Sequence, residues 1–241
     1  MKKYGLIGYP LSHSFSAGYF AKKFDREEIV DTSYESFPLE SIDMICDLFD
    51  TGLSGLNVTI PYKEAVLTYL DDLSDAAREI KAVNTIKNVD GQLVGYNTDV
   101  IGFESTLLDL LEGHLPEKAL VLGSGGAAKA VIYVLRKLGI KYTTISRTGP
   151  HLTYDTLQPH HIEGHHLIVN TTPVGMYPKA DLFPNLDYRA IGSKHFLYDL
   201  VYNPEKTIFL EKGRANGAKI KNGYDMLIKQ AEASWTIWNQ R

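Results

Sequence analysis

Cysteine occurs once in the 241 residues, at Cys46, so no internal disulfide framework can form and no thiolate cluster can hold a metal. No apolar run approaches the ~20 residues of a membrane span. Met1-Lys-Lys-Tyr-Gly5 also lacks the apolar core of a signal peptide, which makes the cytoplasm the default expectation. Neither sign of charge dominates: 25 Lys and Arg stand against 29 Asp and Glu, interspersed, for a formal net charge of −4. That balance leaves no basic footprint for nucleic acid and no acidic tail, and it points to a small-molecule partner. His160, His161, His165 and His166 lie in what reads as a surface loop leading into a strand. Zinc needs convergent ligands in a closed geometry, so no metal is expected there.

The stretch from Ala119 to Leu138 reads as a buried strand, a glycine turn and an amphipathic helix. Gly123 permits a tight exit from the strand, Gly125 lets backbone approach a pyrophosphate, and Ala128 stands where close helix packing needs a small residue. Backbone N–H groups at the helix start would hold the anion. A structural turn between strand and helix uses the same residue types, so the pattern alone leaves both readings open. After the next strand, Tyr142–Ser146, an NAD site places an acid; here Arg147 follows Ser146, as a 2′-phosphate would want, and NADP is favoured over NAD.

Along the rest of the chain, strands are expected at Tyr4–Ile7, Ser33–Phe37, Gly55–Ile60 and in a hairpin, Val83–Asn88 with Gln92–Tyr96, around Asp90-Gly91. Helices are expected at Tyr19–Phe24, Ser41–Leu48, Tyr62–Leu70, Ser74–Lys81, Val100–Leu111 and Met226–Trp238. In the helix over Ser41–Leu48, Cys46 is read as ordinary helix packing. Beyond a linker at Gly113–Pro116, strands at 118–122, 142–146, 166–169 and 196–199 and near Ala218–Lys221 alternate with helices, and Tyr177–Lys194 reads as loop. This alternation predicts an α/β fold with a parallel sheet, in two domains.

Polar clusters stand where strands end: Ser14 and Ser16; Asn57, Thr59 and Lys63; Asn84; Asn97, Thr98 and Asp99. Strand ends are where α/β folds carry their sites. Each cluster also has an ordinary reading. The serines suit helix caps, Lys63 suits an exposed surface, and Asp99 suits a helix start.

Together they resemble the shikimate dehydrogenase family, the NADP-dependent shikimate/quinate dehydrogenases, along nearly the whole chain. The resemblance is carried by Gly8-Tyr-Pro-Leu-Ser-His-Ser-Phe-Ser16, Asn57-Val-Thr-Ile-Pro-Tyr-Lys63, Ala82-Val-Asn-Thr85, Gly95-Tyr-Asn-Thr-Asp99, Gly123-Ser-Gly-Gly-Ala127 and Ser146-Arg-Thr148. It continues through Asn170-Thr-Thr-Pro-Val-Gly-Met176, Tyr198-Asp-Leu-Val-Tyr-Asn-Pro204 and Asn222-Gly-Tyr-Asp-Met-Leu-Ile-Lys-Gln-Ala231.

The resemblance implies a discontinuous substrate-binding domain, residues 1–98 plus 222–241, and an NADP-binding Rossmann-like domain, residues 99–221, with the active site in the cleft. It implies that Ser14, Ser16 and Tyr202 bind the substrate carboxylate, that Thr59, Asn84 and Gln230 fix ring hydroxyls, and that Lys63 and Asp99 stand at the reacting oxygen as the catalytic pair. For the cofactor it implies Gly123, Ser124, Gly125, Gly126 and Ala127 in the glycine turn, Ser146, Arg147 and Thr148 beyond the next strand, and Thr171, Thr172, Pro173, Met176, Leu200 and Gly223 elsewhere. The implied reaction is the reversible NADPH-dependent reduction of 3-dehydroshikimate to shikimate, the fourth step of the route to aromatic amino acids. Expected partners are those two small molecules, without nucleic acid or membrane, in a monomer or homodimer.

The chain also departs from the family pattern. Ala17, Phe20 and Ala21 replace a common Pro and His-Asn, Ser146 replaces an Asn, and His151 replaces a second basic residue, so the expected NADP preference is weaker than usual. The Tyr154–Gly164 segment is short for the family. Two rival readings are an NAD-dependent quinate/shikimate dehydrogenase, opposed by Arg147, and a catalytically silent NADP-sensing protein, opposed by retention of Lys63 and Asp99.

Overall fold

The computed structural model describes residues 1–11, 15–147 and 152–240. It divides into two compact units, Met1–Thr98 with Ala231–Arg241, and Asp99–Gln230.

In the first unit the apolar runs β1 (Lys2–Gly8) and β3 (Leu53–Val58) pair in parallel at the middle of a sheet, with β2 (Thr32–Pro38) parallel on the other side of β1. β4 (Asp72–Leu73), β5 (Thr85–Val89) and β6 (Gln92–Tyr96) complete the order β2-β1-β3-β5-β6-β4. β5 and β6 form the expected antiparallel hairpin, and Asp90 and Gly91 between them both take positive φ, 53° and 91°. Helices α1 (Phe15–Arg26), α2 (Ile45–Asp50) and α3 (Asp75–Ile80) belong to this unit.

The second unit contains α4 (Asp99–Leu111), β7 (Lys118–Leu122), α5 (Gly126–Lys137), β8 (Lys141–Ile145), α6 (Pro159–Glu163), β9 (Leu167–Asn170), β10 (Phe196–Asp199), α7 (Ile208–Ala215) and β11 (Lys219–Lys221). All five strands are parallel, in the order β11-β10-β9-β7-β8. In chain order within the unit, read from the β8 edge, this is second, first, third, fourth, fifth, a doubly wound Rossmann-like arrangement whose direction of winding reverses between β7 and β9. β7 and β9 are almost wholly buried, as strands covered on both faces must be.

The last helix, α8 (Tyr224–Asn239), begins in the second unit and ends in the first. Residues 222–230 therefore lie with Asp99–Gln230, whereas the sequence reading assigns them to the N-terminal unit; at Gly102 the side-chain-free face of α4 leaves room for Met226 and Gln230. In the first unit the end of α8 buries Trp238, which stacks on Tyr4 at 4.6 Å. Phe20, one of the departures from the family pattern, is fully buried and stacks on Tyr34 at 4.4 Å. The changed residue thus belongs to an aromatic core joining α1, β2 and α8. Lys23 of α1 is buried but keeps its charge partners, Glu232 at 2.8 Å and Glu27 at 2.9 Å.

Three local expectations are corrected. Tyr62–Leu70 holds a short 3-10 helix, Ala65–Tyr69, because Asp71 N–H donates to Leu93 O and draws the chain out to pair β4 with β6. Cys46 is exposed: its neighbour Ile45 takes the core position, and the next residue on a helix points about 100° away. The histidine-rich loop contains α6, whose start is capped by Gln158 and His161 with Pro159 at the first position. His165 continues that structural role through Thr143 Oγ1 at 3.1 Å, and burial pushes its pKa down. Among the described residues no group of three His, Cys, Asp or Glu could hold a metal, and no helix is long and apolar enough to cross a membrane.

Candidate active site

At one edge of the first sheet the ends of β1 and β3, the start of β5 and the end of β6 lie side by side, because β5 runs antiparallel to both neighbours. Backbone bonds gather the expected polar residues there. Thr59 N–H donates to Ile7 O at 2.9 Å, Val58 N–H to Asn84 O at 2.9 Å, and Val83 N–H to Lys63 O at 2.8 Å. Thr59 and Lys63 are half-buried and Asn84 is buried.

Beneath this edge lies a buried hydrogen-bonded network. Asn57 Nδ2 donates to Ser234 Oγ at 2.9 Å and Thr85 Oγ1 at 3.2 Å, while its Oδ1 accepts from the Tyr34 hydroxyl at 2.8 Å. The Thr85 and Ser234 hydroxyls are 2.7 Å apart. Tyr34 has given its only proton to Asn57, so Ser16, in the first turn of α1, must donate in its bond to the phenol. Burial pushes the Tyr34 pKa far up, and the Ser16 bond works in the other direction. Ser16 is thus held inside the helix rather than at its cap. Sequence reading missed Tyr34 and Ser234, since a tyrosine in an alternating strand and a serine in an amphipathic helix carry no signal of their own.

In the second unit the glycine turn sits at the reversal of winding. Gly123 leaves β7 with φ +111° and donates its N–H to Ile145 O at 2.8 Å. A Cβ there would stand 2.7 Å from Thr171 Oγ1, so only glycine lets the turn pass the end of β9. Thr171 in turn donates its N–H to Leu122 O at 2.9 Å and its hydroxyl to the same oxygen at 2.7 Å. Ser124 lies 3.1 Å from Ser146, hydroxyl to hydroxyl, which ties the turn to the end of β8. Arg147, the next residue, is exposed.

α5 starts with Gly125 at its cap, without a side-chain hydrogen bond and without an acid in the first turn. Its first N–H groups and positive dipole end therefore suit a phosphate. Gly223 N–H donates to Val201 O at 3.2 Å, and a Cβ at Gly223 would collide with the Leu200 carbonyl. Leu200 N–H donates to Asn170 O at 2.9 Å, so the ends of β9 and β10 and the start of α8 are joined through residues expected at the cofactor.

Pro173 and Met176 are exposed, and Thr172 is half-buried. Asp99 opens α4, and Gln230 Nε2 donates to Leu227 O at 2.8 Å within α8. Tyr202 is half-buried, and burial pushes its phenol pKa up. Ser14, Thr148 and His151 lie outside the described residues. A surface groove of about 360 Å³ beside His166, Phe196 and Lys219 lies at the N-terminal ends of the parallel strands, away from the glycine turn.

Residues 6–86 match the model of the shikimate dehydrogenase substrate binding domain. The chain is 39% identical to the shikimate dehydrogenase (NADP(+)) of Clostridium beijerinckii, over 100% of this chain and 93% of that one. The crystal structure of shikimate 5-dehydrogenase from Thermus thermophilus, in complex with NADP(H) and shikimate, superposes with a TM-score of 0.85 at 32% identity, covering 99% of this chain and 94% of that one. Quinate dehydrogenase from Corynebacterium glutamicum, in complex with NAD, superposes at 0.89 with 26% identity, covering 99% and 93%.

Proposed function

The chain belongs to the shikimate dehydrogenase family, and from that premise we propose that it reduces 3-dehydroshikimate to shikimate, reversibly, with NADPH. One observation carries the reading: each unit separately holds its share of the family's polar residues at strand ends, Thr59, Lys63 and Asn84 in one and the Gly123–Ser146–Thr171 cluster in the other.

The residues of the second unit fit a dinucleotide. The start of α5, which has no side-chain cap, supplies N–H donors for the pyrophosphate, and Gly125, with open space where a Cβ would stand, puts no side chain in its way. Arg147 offers a planar, permanently charged fork to a 2′-phosphate, and no acid follows Ser146 to take up a ribose hydroxyl instead. The bound cofactor supplies the hydride. Thr171, Thr172, Pro173, Met176, Leu200 and Gly223 line its nicotinamide half.

Residues of this chain then handle the substrate and the proton. Ser14, Ser16 and Tyr202 bind the carboxylate, the Ser16 hydroxyl turning its one proton from Tyr34 to the substrate; Thr59, Asn84 and Gln230 read the ring hydroxyls. As the carbonyl oxygen gains charge, Lys63 donates to it, and Asp99 orients the lysine and favours its charged form. The domain assignment follows: substrate on the N-terminal unit with the end of the chain, NADP on the unit between.

The decisive assay follows NADPH oxidation with 3-dehydroshikimate, repeated with NADH and with quinate as substrate for NADP and NAD reduction. Turnover with NADPH well above NADH supports the reading. A preference for quinate with NAD would replace it by the quinate dehydrogenase, and cofactor binding without turnover would replace it by a sensor.

A further inference from the structure

Asp199 ends β10 fully buried, and the mechanism above gives it no part. Three donors converge on its carboxylate. Thr207 Oγ1 donates to Oδ2 at 2.6 Å; Asn170 Nδ2 and Val201 N–H donate to Oδ1 at 2.9 and 3.0 Å. The far side of Asn170 shapes the next loop. Its Oδ1 accepts from the N–H of Thr172 at 3.1 Å and from the Thr172 hydroxyl at 2.6 Å, and its Nδ2 also reaches Val174 O at 3.3 Å.

An amide has one accepting and one donating end, and the two differ little in shape. The carboxylate accepts from all three surrounding donors, so only the NH2 end of Asn170 can face it, and the carbonyl end must then face Thr172. We propose that Asp199 is a positioning residue for the nicotinamide half of the cofactor: by fixing which way the Asn170 amide points, it sets the shape of the Thr171–Met176 loop. This rests on the reading that the loop lines the nicotinamide. A neutral amide at position 199 would accept or donate with similar ease, and the orientation of Asn170 would no longer be enforced.

The test uses four variants of the full chain, Asp199→Asn, Asn170→Ala, their double mutant, and Met176→Ala as a probe of the loop itself. Asp199→Asn should raise KM for NADPH by about ten-fold or more, on the scale of a hydrogen bond to a charged group. KM for 3-dehydroshikimate and inhibition by adenosine 2′,5′-bisphosphate, which lacks the nicotinamide half, should stay within about two-fold, below what one lost hydrogen bond would give. Asn170→Ala reads the same contact without disturbing the other two donors to the carboxylate, and it serves if Asp199→Asn does not fold. The double mutant should bind NADPH no worse than Asn170→Ala, since Asp199 acts through Asn170.

Unchanged NADPH affinity in Asp199→Asn, with weakened affinity in Met176→Ala, overturns the role of Asp199 and leaves the loop reading standing. Losses that multiply in the double mutant overturn it as well. If neither Met176→Ala nor Asn170→Ala alters NADPH affinity, the loop does not line the nicotinamide, and both readings fall.

Discussion

Asn84 turns both ends of its amide onto Thr98: Oδ1 accepts the Thr98 N–H at 2.7 Å, and Nδ2 donates to Thr98 Oγ1 at 3.0 Å. Thr98 is fully buried and immediately precedes Asp99. The residue expected to read a ring hydroxyl therefore also fixes the chain leading to the carboxylate expected beside Lys63. Asn84→Ala leaves the Thr98 N–H without that acceptor in a buried site, at a cost of about 1–3 kcal/mol. Urea unfolding should show that loss together with reduced kcat/KM. A stable but inactive variant would assign Asn84 to the substrate alone.

Lys63→Ala should lower kcat by about 10²–10⁴-fold, the usual contribution of a positioned acid or base. Asp99→Asn should act in the same direction, and the double mutant should lose less than the product of the single losses, as groups acting as a unit do. Steady-state kinetics with NADPH and 3-dehydroshikimate measures all three. A Lys63→Ala enzyme within a few-fold of wild type removes the lysine from the chemistry.

Arg147→Ala should weaken NADP binding and leave NAD binding almost unchanged, because only NADP carries the 2′-phosphate that a guanidinium can fork onto. Calorimetric titration with each cofactor separates this from a structural arginine, for which both affinities would fall alike.

Burial pushes the Asp199 carboxyl up to about 6, against the three hydrogen bonds that favour its charged form. The residues bonded to it are neutral, and Tyr188 is the titratable group that feels its charge. Between the unfolded value near 4 and about 6 the folded chain holds this proton more tightly. The stability contributed is thus complete below about pH 4 and is lost as pH rises through about 6, a change on the order of 3 kcal/mol. Chemical denaturation of wild type and Asp199→Asn across this range should show the extra decline in the wild type only. Parallel curves would mean that Asp199 titrates near its ordinary value.

Local chemistry made much of this molecule legible in advance. Asp90-Gly91 demanded a hairpin because two successive positive φ values suit few other pairs. Gly123 after a short buried strand and before an amphipathic helix marked the tight turn between β7 and α5, where it takes φ +111°. The apolar strands of the second unit announced a sheet covered on both faces. All of these are properties of neighbours along the chain, settled by sterics and periodicity.

The connections that hold the site had no such signature. Asn84 meets Thr98 across 14 residues, Asn170 meets Asp199 across 29, and Asn57 meets Ser234 across 177. Asn57, Asn84 and Thr98 stood out in the sequence only as polar residues near strand ends, and nothing there named their partners; each pairing arises only when folding removes water and leaves one partner within reach. The exposure of Cys46 and the 3-10 turn at Ala65–Tyr69 were decided in the same way, by Ile45 taking the core position and by the pull of β6 on β4. The sequence by itself determined which residue types stand at the strand ends; the tertiary structure alone decided which of them share a proton, because burial makes an unmatched donor or acceptor costly and so fixes the pairing.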